Sequence, residues 1–311
     1  LSAYRNVGSV SNSGLELTID TKNIQTKEFS WTSSFNISFN RNKVLSLNDD
    51  EPSLASRVNW GNFNNAYPYI AIPGHPIAMF YGHIFDGVYQ YTDFDKVGES
   101  YILKDGVPNN GNAREKIQPG DIKFKDINRD GVVNDYDLTI IGNPNPKHIG
   151  GFGNNFQYKN FDLNVFFQWS YGGDVLNANR IEFEGGDPNA RTSLNMFASF
   201  ANRWTPENQT NELYRIGGQG PAVYSSRTIE DGSFLRLKTV SLGYRLPNAW
   251  LKKINIKSLR VYASAQNLIT WTRYSGPDPE VSTRPTALTP SFDWSPYPRP
   301  RTLTLGVDIS F

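Results

Sequence analysis

The segment that most limits what this chain can fold into is its last strand. Thr302-Leu303-Thr304-Leu305-Gly306-Val307-Asp308-Ile309-Ser310-Phe311 places Leu303, Leu305, Val307, Ile309 and Phe311 on one face. Thr302, Thr304, Asp308 and Ser310 fall on the other, because successive strand side chains point to opposite sides. About ten two-faced residues is the length a tilted strand needs to cross a bilayer. The same period recurs upstream. Phe29, Trp31, Ser33, Phe35, Ile37 and Phe39 alternate with Ser30, Thr32, Ser34, Asn36, Ser38 and Asn40. Phe161, Leu163, Val165, Phe167, Trp169 and Tyr171 alternate with Asp162, Asn164, Phe166, Gln168 and Ser170, and Leu259, Val261, Ala263 and Ala265 with Arg260, Tyr262, Ser264 and Gln266. The apolar faces are aromatic and the opposite faces polar. A β-sandwich core would ask for more Val, Ile and Leu, whereas a membrane barrel asks for an apolar outer band, aromatic girdles and a polar lumen.

Composition agrees. Aromatic content is 14% while mean hydropathy is −0.51, as expected when alternation and long polar loops dilute the apolar residues. No run of 18 apolar residues exists, so no transmembrane helix is predicted, which leaves barrel strands untouched. A net charge of +1 gives no global field for nucleic acid. The absence of cysteine fits both an envelope location without disulfides and a reducing cytosol. The chain opens at Leu1 without a signal peptide; since a barrel must be exported, the expectation is a part of a longer gene product.

Seven strands are predicted, at 14–20, 28–40, 149–158, 161–172, 234–245, 256–272 and 301–311. The connections alternate. Thr21–Lys27, Lys159-Asn160 and Leu246–Asn255 are short; 41–148, 173–233 and 273–300 are long. Outer-membrane barrels have short periplasmic turns and long extracellular loops, so 41–148 reads as a long extracellular loop. Seven strands cannot close such a barrel, and open edges are not tolerated in lipid. The remaining strands must come from elsewhere.

One stretch carries ligand chemistry. Asp126-Ile127-Asn128-Arg129-Asp130-Gly131-Val132-Val133-Asn134-Asp135-Tyr136-Asp137 has oxygen side chains at positions 1, 3, 5, 9 and 12 of a twelve-residue loop, with glycine at position 6. That is calcium-loop spacing. Asp126, Asn128, Asp130, the Val132 carbonyl and Asp137 are the expected ligands of a structural Ca2+, with Asn134 acting directly or through water. Position 12 departs from the usual Glu, and no long helix follows, which is closer to the half-loops of dockerin modules. The competing reading is an Asx-rich turn with no ion. Of the other candidates, His75, His83 and His148 form no motif, and no Ser, Cys or carboxylate pair stands in a catalytic setting, so the chain is not expected to be an enzyme. Trp271, at a strand end, fits a girdle; Trp204 and Trp294 stay open between sugar stacking and the membrane interface.

Several ordered motifs resemble one family. They are Pro119-Gly120-Asp121-Ile122-Lys123-Phe124-Lys125-Asp126, Ile141-Gly142-Asn143-Pro144-Asn145-Pro146, Tyr158-Lys159-Asn160-Phe161-Asp162 and Asn202-Arg203-Trp204-Thr205-Pro206-Glu207. Phe234-Leu235-Arg236-Leu237-Lys238, Leu242-Gly243-Tyr244, Gln266-Asn267-Leu268, Asp278-Pro279-Glu280-Val281 and Tyr297-Pro298-Arg299-Pro300-Arg301 follow. Together they resemble the C-terminal third of SusC/RagA-type TonB-dependent outer-membrane transporters of Bacteroidetes, over nearly the whole chain. The resemblance implies the last seven strands of a barrel of about 22, with a plug and a TonB-contacting region outside this chain. It also implies a SusD-like surface lipoprotein over the mouth, and import of glycans, oligosaccharides, peptides or other nutrients. The rival readings are a soluble calcium-binding carbohydrate-binding or adhesive β-sandwich, and a secreted β-rich hydrolase.

Overall fold

Antiparallel pairing joins seven long strands in chain order into one meander. They are β1 (Gly8–Gln25), β2 (Phe29–Leu47), β3 (His148–Tyr158), β4 (Phe161–Tyr171), β5 (Phe234–Arg245), β6 (Ser258–Thr272) and β7 (Thr302–Ser310). The structure, a computed structural model, describes residues 8–58, 66–185, 194–251, 255–283 and 285–311. The small sheets of two to four strands lie between the long strands, and none is a partner layer of the kind a sandwich requires.

Register puts the apolar sets of all seven strands on one side. Phe35 opposes Phe152, which opposes Phe167. Val165 opposes Val240, Val240 opposes Ala265, and Ala265 opposes Leu303. Aromatic belts mark both ends of this face. Phe29 packs edge-on against Tyr158 at 6.5 Å, and Phe161 meets Tyr244 at 4.6 Å, beside the short turns. Phe39, His148 and Tyr171 form the other belt, with centroids 5.6 and 5.1 Å apart. From His148 to Tyr158 the strand climbs about 33 Å along its axis. At a tilt of about 45° this gives a height of roughly 23 Å, matching an apolar band of about 25 Å.

Two departures from the sequence reading have local causes. β1 and β2 run on to Gly8 and Leu47, beyond the predicted 14–20 and 28–40. Polar residues such as Arg41, Asn42 and Lys43 lose the alternation there, but the hydrogen-bond ladder continues, with Arg41 opposite Ser13 and Lys43 opposite Ser11. In β5 the apolar phase slips: Leu235 and Leu237 are odd, while Val240, Leu242 and Tyr244 are even. The register shift at Lys238, with a matching one at Asn267 in β6 where φ is +52°, keeps both halves on the outward face.

The inward face is polar and small. Asn36, Gln168 and Ser170 project there, and the Phe166 ring lies over Gly151, where an added Cβ would sit 2.9 Å from the ring. These two faces predict unequal costs for charge. Val165→Arg should destabilise the assembled barrel by about 2–4 kcal/mol near the bilayer midplane, and the inward neighbour Asn164→Arg far less. Urea titration of the full-length transporter in lipid checks this; similar losses for the two variants would invert the face assignment.

Candidate functional site

The three long connections fold together at one end of the sheet. Tyr69 and Phe80 come from the first, Leu176 and Ala178 from the second, Phe292 and Trp294 from the third, and they share one buried cluster. Backbone pairing stitches it: Leu176 and Asn177 run parallel to Phe292 and Asp293, and the Tyr69 hydroxyl donates to the Pro290 carbonyl at 2.8 Å. A second cluster joins Val88, Ile122, Phe124 and Val133 to Trp204, Leu213 and Tyr214. The cap therefore has its own core. Trp204 and Trp294 are 5% and 7% exposed and belong to that core, which removes both from the list of sugar-stacking platforms. Trp204 satisfies its indole N–H on Gln90 Oε1 at 3.0 Å. Trp271, by contrast, is half-exposed on the outward face beside Leu235.

Two polar assemblies hold the last connection. Arg236, buried on β5, reaches Asp278 at 2.5 Å and Glu280 at 3.2 Å. Arg299 binds the same acids, at 2.7 Å to Glu280 and 3.5 Å to Asp278. Two cations and two carboxylates thus clamp 278–299 to the wall. The second assembly is centred on Asp293, which is fully buried. Its carboxylate accepts from the Tyr274 hydroxyl and from Asn179 Nδ2 at 2.9 Å. Burial raises the Asp293 carboxyl above its ordinary range, and Glu230 and Asp278 push the same way, against the two hydrogen bonds. Burial likewise raises the Tyr274 phenol, with Asp293 adding to it.

Between cap and wall lies a cavity of about 690 Å3. Its walls are inward residues such as Asn36, Ser38, Phe166 and Gln168, and its roof includes Val175, Pro279, Glu280 and Val281. The chamber lies at the lumenal side of the mouth and sets amide, hydroxyl and carboxylate groups among a larger apolar and aromatic surface.

The calcium-type loop lies in the first connection. Gly131 has φ +84°, the conformation the sharp turn requires. Asp126 accepts from the Arg129 and Gly131 N–H groups at 2.6 and 2.8 Å. Asp130 accepts from Val132 N–H at 2.8 Å and from Asn128 Nδ2 at 2.9 Å. Asp137 is fully buried in the 3-10 turn Asp135–Asp137; its Oδ1 accepts from Ile127 at 2.8 Å and its Oδ2 from Asn134 at 2.9 Å. The Val132 carbonyl accepts from Asn134 Nδ2 at 3.2 Å. Among the described residues, no three His, Asp or Glu side chains are grouped closely enough to hold a metal by themselves. Asn128 N–H also reaches Asp137 Oδ1, at 3.4 Å, so the donor set fits a hard cation only through mixed oxygens: Asn128 and the Val132 carbonyl beside Asp126, Asp130 and the one remaining lone pair of Asp137.

The histidines are scattered. His83 stacks on Phe124 at 5.2 Å, and burial lowers its pKa. His148 takes the Trp169 indole N–H on Nδ1 at 3.1 Å, and the first connection also carries His75.

Comparison with known proteins settles the family. TonB-dependent receptor P3 of Formosa agariphila is 35% identical over 315 residues, covering 100% of this chain and 30% of that receptor. TonB-dependent receptor SusC of Bacteroides thetaiotaomicron is 30% identical over 315 residues, covering 99% and 27%. The chain belongs to the SusC/RagA-type TonB-dependent transporters. The solved RagAB peptide transporter superposes with a TM-score of 0.74 at 26% identity, over 100% of this chain and 30% of that one. No family model matches. The chain spans about 30% of the length of these relatives. These relatives are transporters and receptors, not enzymes.

The clamp escaped sequence reading, although its signal was present: an arginine on the polar face of a strand, and an Asp-Pro-Glu run in a long loop. Arg236→Ala leaves two acids with only the surface-exposed Arg299. It should cost about 3 kcal/mol, the low end for breaking a buried pair, since Glu280 is partly solvated. Proteolysis within 273–301 of the intact transporter should rise accordingly; unchanged cleavage would show that the apolar cluster alone holds the loop.

Proposed function

We propose that this chain forms part of the wall and extracellular cap of a bacterial outer-membrane importer, energised through TonB. Its cargo is a nutrient such as a glycan, an oligosaccharide or a peptide. The observation that carries this reading is the chamber between wall and cap, on the face opposite the aromatic band, whose lining mixes polar groups with aromatic and apolar ones. Amide, hydroxyl and carboxylate groups set among aromatic rings suit a solute that carries both hydrogen-bonding groups and apolar faces, as sugars and peptides do. Lipid surrounds the outward face, the remaining strands and the plug complete the barrel, and a SusD-like lipoprotein closes over the cap. Nothing in this surface calls for nucleic acid. The test is uptake of labelled oligosaccharide and peptide pools by cells carrying the full-length transporter. Accumulation should stop when TonB is removed and when the membrane proton gradient is collapsed; accumulation independent of both would leave a passive porin.

Asp126, Asn128, Asp130, the Val132 carbonyl and Asp137 hold Ca2+ in this reading, and the ion is structural. Three of these ligands are carboxylates, which repel one another when brought together unless a cation intervenes, and millimolar extracellular calcium fills even a weak site. The ion orders the part of the cap where the lipoprotein docks. Chelator and Asp130→Ala should each increase limited proteolysis across 126–137 several-fold while the barrel keeps its resistance. If both leave cleavage there unchanged, the twelve residues are a polar turn held by their own backbone.

A further inference from the structure

The outward face carries a groove that transport does not use. It lies at the cap end of the band, holds about 680 Å3, and is lined by Trp169, Tyr171, Leu235 and Trp271, with Arg273 and His148 at its mouth. Tyr171, Leu235 and Trp271 are each between two and three fifths exposed, so its apolar floor has no cover from this chain. Toward the cap the positions around it turn basic. Arg41 and Lys43 continue the outward phase of β2; Lys147 precedes β3 and Arg273 follows β6. Lys147 Nζ stands 5.7 Å from the Tyr171 ring centroid. Arg41 spends one guanidinium nitrogen on the carbonyls of Asn40 and Lys147, at 2.8 and 2.7 Å. Lys43 and Arg273 are exposed and make no ion pair with a described residue. Of the residues lining the groove the one acid is Asp231, whose Oδ1 is taken by the Ser233 N–H at 2.9 Å; its strand partner Asp174, which also feels the Lys147 charge, has its Oδ2 taken by the Asn143 N–H at 2.7 Å.

We propose that this groove is a docking site for an anionic, phosphate-bearing lipid of the surrounding leaflet. An acyl chain lies against Trp169, Leu235 and Trp271, and the phosphate meets Lys147 and Arg273. The inference rests on the barrel's face assignment. Charge complementarity selects the occupant. The apolar floor is continuous with the lipid-facing band, which excludes a polar solute. The cations lie at headgroup height, above the aromatic belt of Phe39, His148 and Tyr171, where basic side chains attract anionic headgroups. His148 adds a donor: its Nδ1 accepts from Trp169, so the neutral ring carries its proton on Nε2.

The test uses the full-length transporter in nanodiscs, with bromine-labelled acyl chains quenching tryptophan on contact. Brominated phosphatidylglycerol is compared with brominated phosphatidylcholine of the same chains. The wild type should prefer the anionic lipid, and Trp271→Phe should reduce the quenchable fraction. Lys147→Gln and Arg273→Gln should each lower the preference by about five-fold. The charge-keeping Arg273→Lys should retain it, and free glycerol phosphate at millimolar concentration should not displace the lipid. Equal quenching by the two lipids in the wild type would overturn the proposal. So would a preference that survives both neutral substitutions, loss of preference in Arg273→Lys, or displacement by glycerol phosphate. None of these outcomes depends on the transported nutrient, so failure here leaves the import reading standing.

Discussion

The hydrogen-bond ladder governs everything else in this molecule. Hydrocarbon offers no partner to a backbone N–H or C=O, so strands can stand in a membrane only when each has a neighbour on both sides. Inside the sheet that demand is met: β2 to β6 are each paired along both edges. β1 and β7 each present one open edge and are exposed along nearly their whole length, so further strands are required in a bilayer. The same demand extends to side chains. Asn154 lies on the outward face, near the middle of the band, yet it is almost fully buried. Its Oδ1 accepts from Trp31 Nε1 at 2.9 Å and from the Ser33 hydroxyl at 2.8 Å. Asn23 and Thr21 extend the chain of bonds into β1. A polar group at this depth is tolerated because its neighbours across two strands satisfy it.

A ladder that must close at the wall leaves the connections free at only one end. There they solve a different problem. The first loop buries a small cluster of its own, Tyr89, Phe94, Leu103 and Ile117, but the main core of the cap draws on all three loops. Phe80, Leu176 and Phe292 are each fully buried in it. Non-local pairing of this kind requires anchors against the entropy of long loops. The Arg236 clamp and the hub of Asp293, Tyr274 and Asn179 supply them on the last connection. Glu184, held by Arg180 at 2.9 Å and Arg227 at 2.7 Å, anchors the second.

Strands were legible in the sequence because period two is a property of neighbours, and both solvents, lipid and lumen, impose it everywhere along the wall. Hence Phe161–Tyr171 was found to within a residue. The phase slip in β5 was not legible, since Leu237 and Val240 look like a broken pattern until the bulge at Lys238 is known. The cap was least legible. Its core residues sit in short strands such as Tyr69–Ala71 and Met79–Gly82, with no period of their own; the two pair with each other, but the Leu176 and Phe292 side chains they pack against come from the other two loops. The twelve-residue loop was visible for the opposite reason: all its contacts are local, so spacing alone describes it.

Tryptophan shows why residue type cannot replace position in such a protein. Trp204 and Trp294 fill the cap, Trp31 donates into the Asn154 network, and Trp271 stands half-exposed at the outward rim. Each is amphipathic in the same way, with a large apolar body and a single donor. The environment decides which end matters. In the cap the body is buried and the donor must find Gln90 or a similar acceptor. At the outward rim the body of Trp271 stands half-exposed on the outward face, where an interfacial indole can bury its ring in lipid and keep its donor at the headgroups. An aromatic on an outward strand end therefore needs no protein partner to be stable, and an exposed groove beside it is a cost only if lipid fails to fill it. That asymmetry makes the Trp169–Leu235–Trp271 surface stable in a bilayer and a liability out of one.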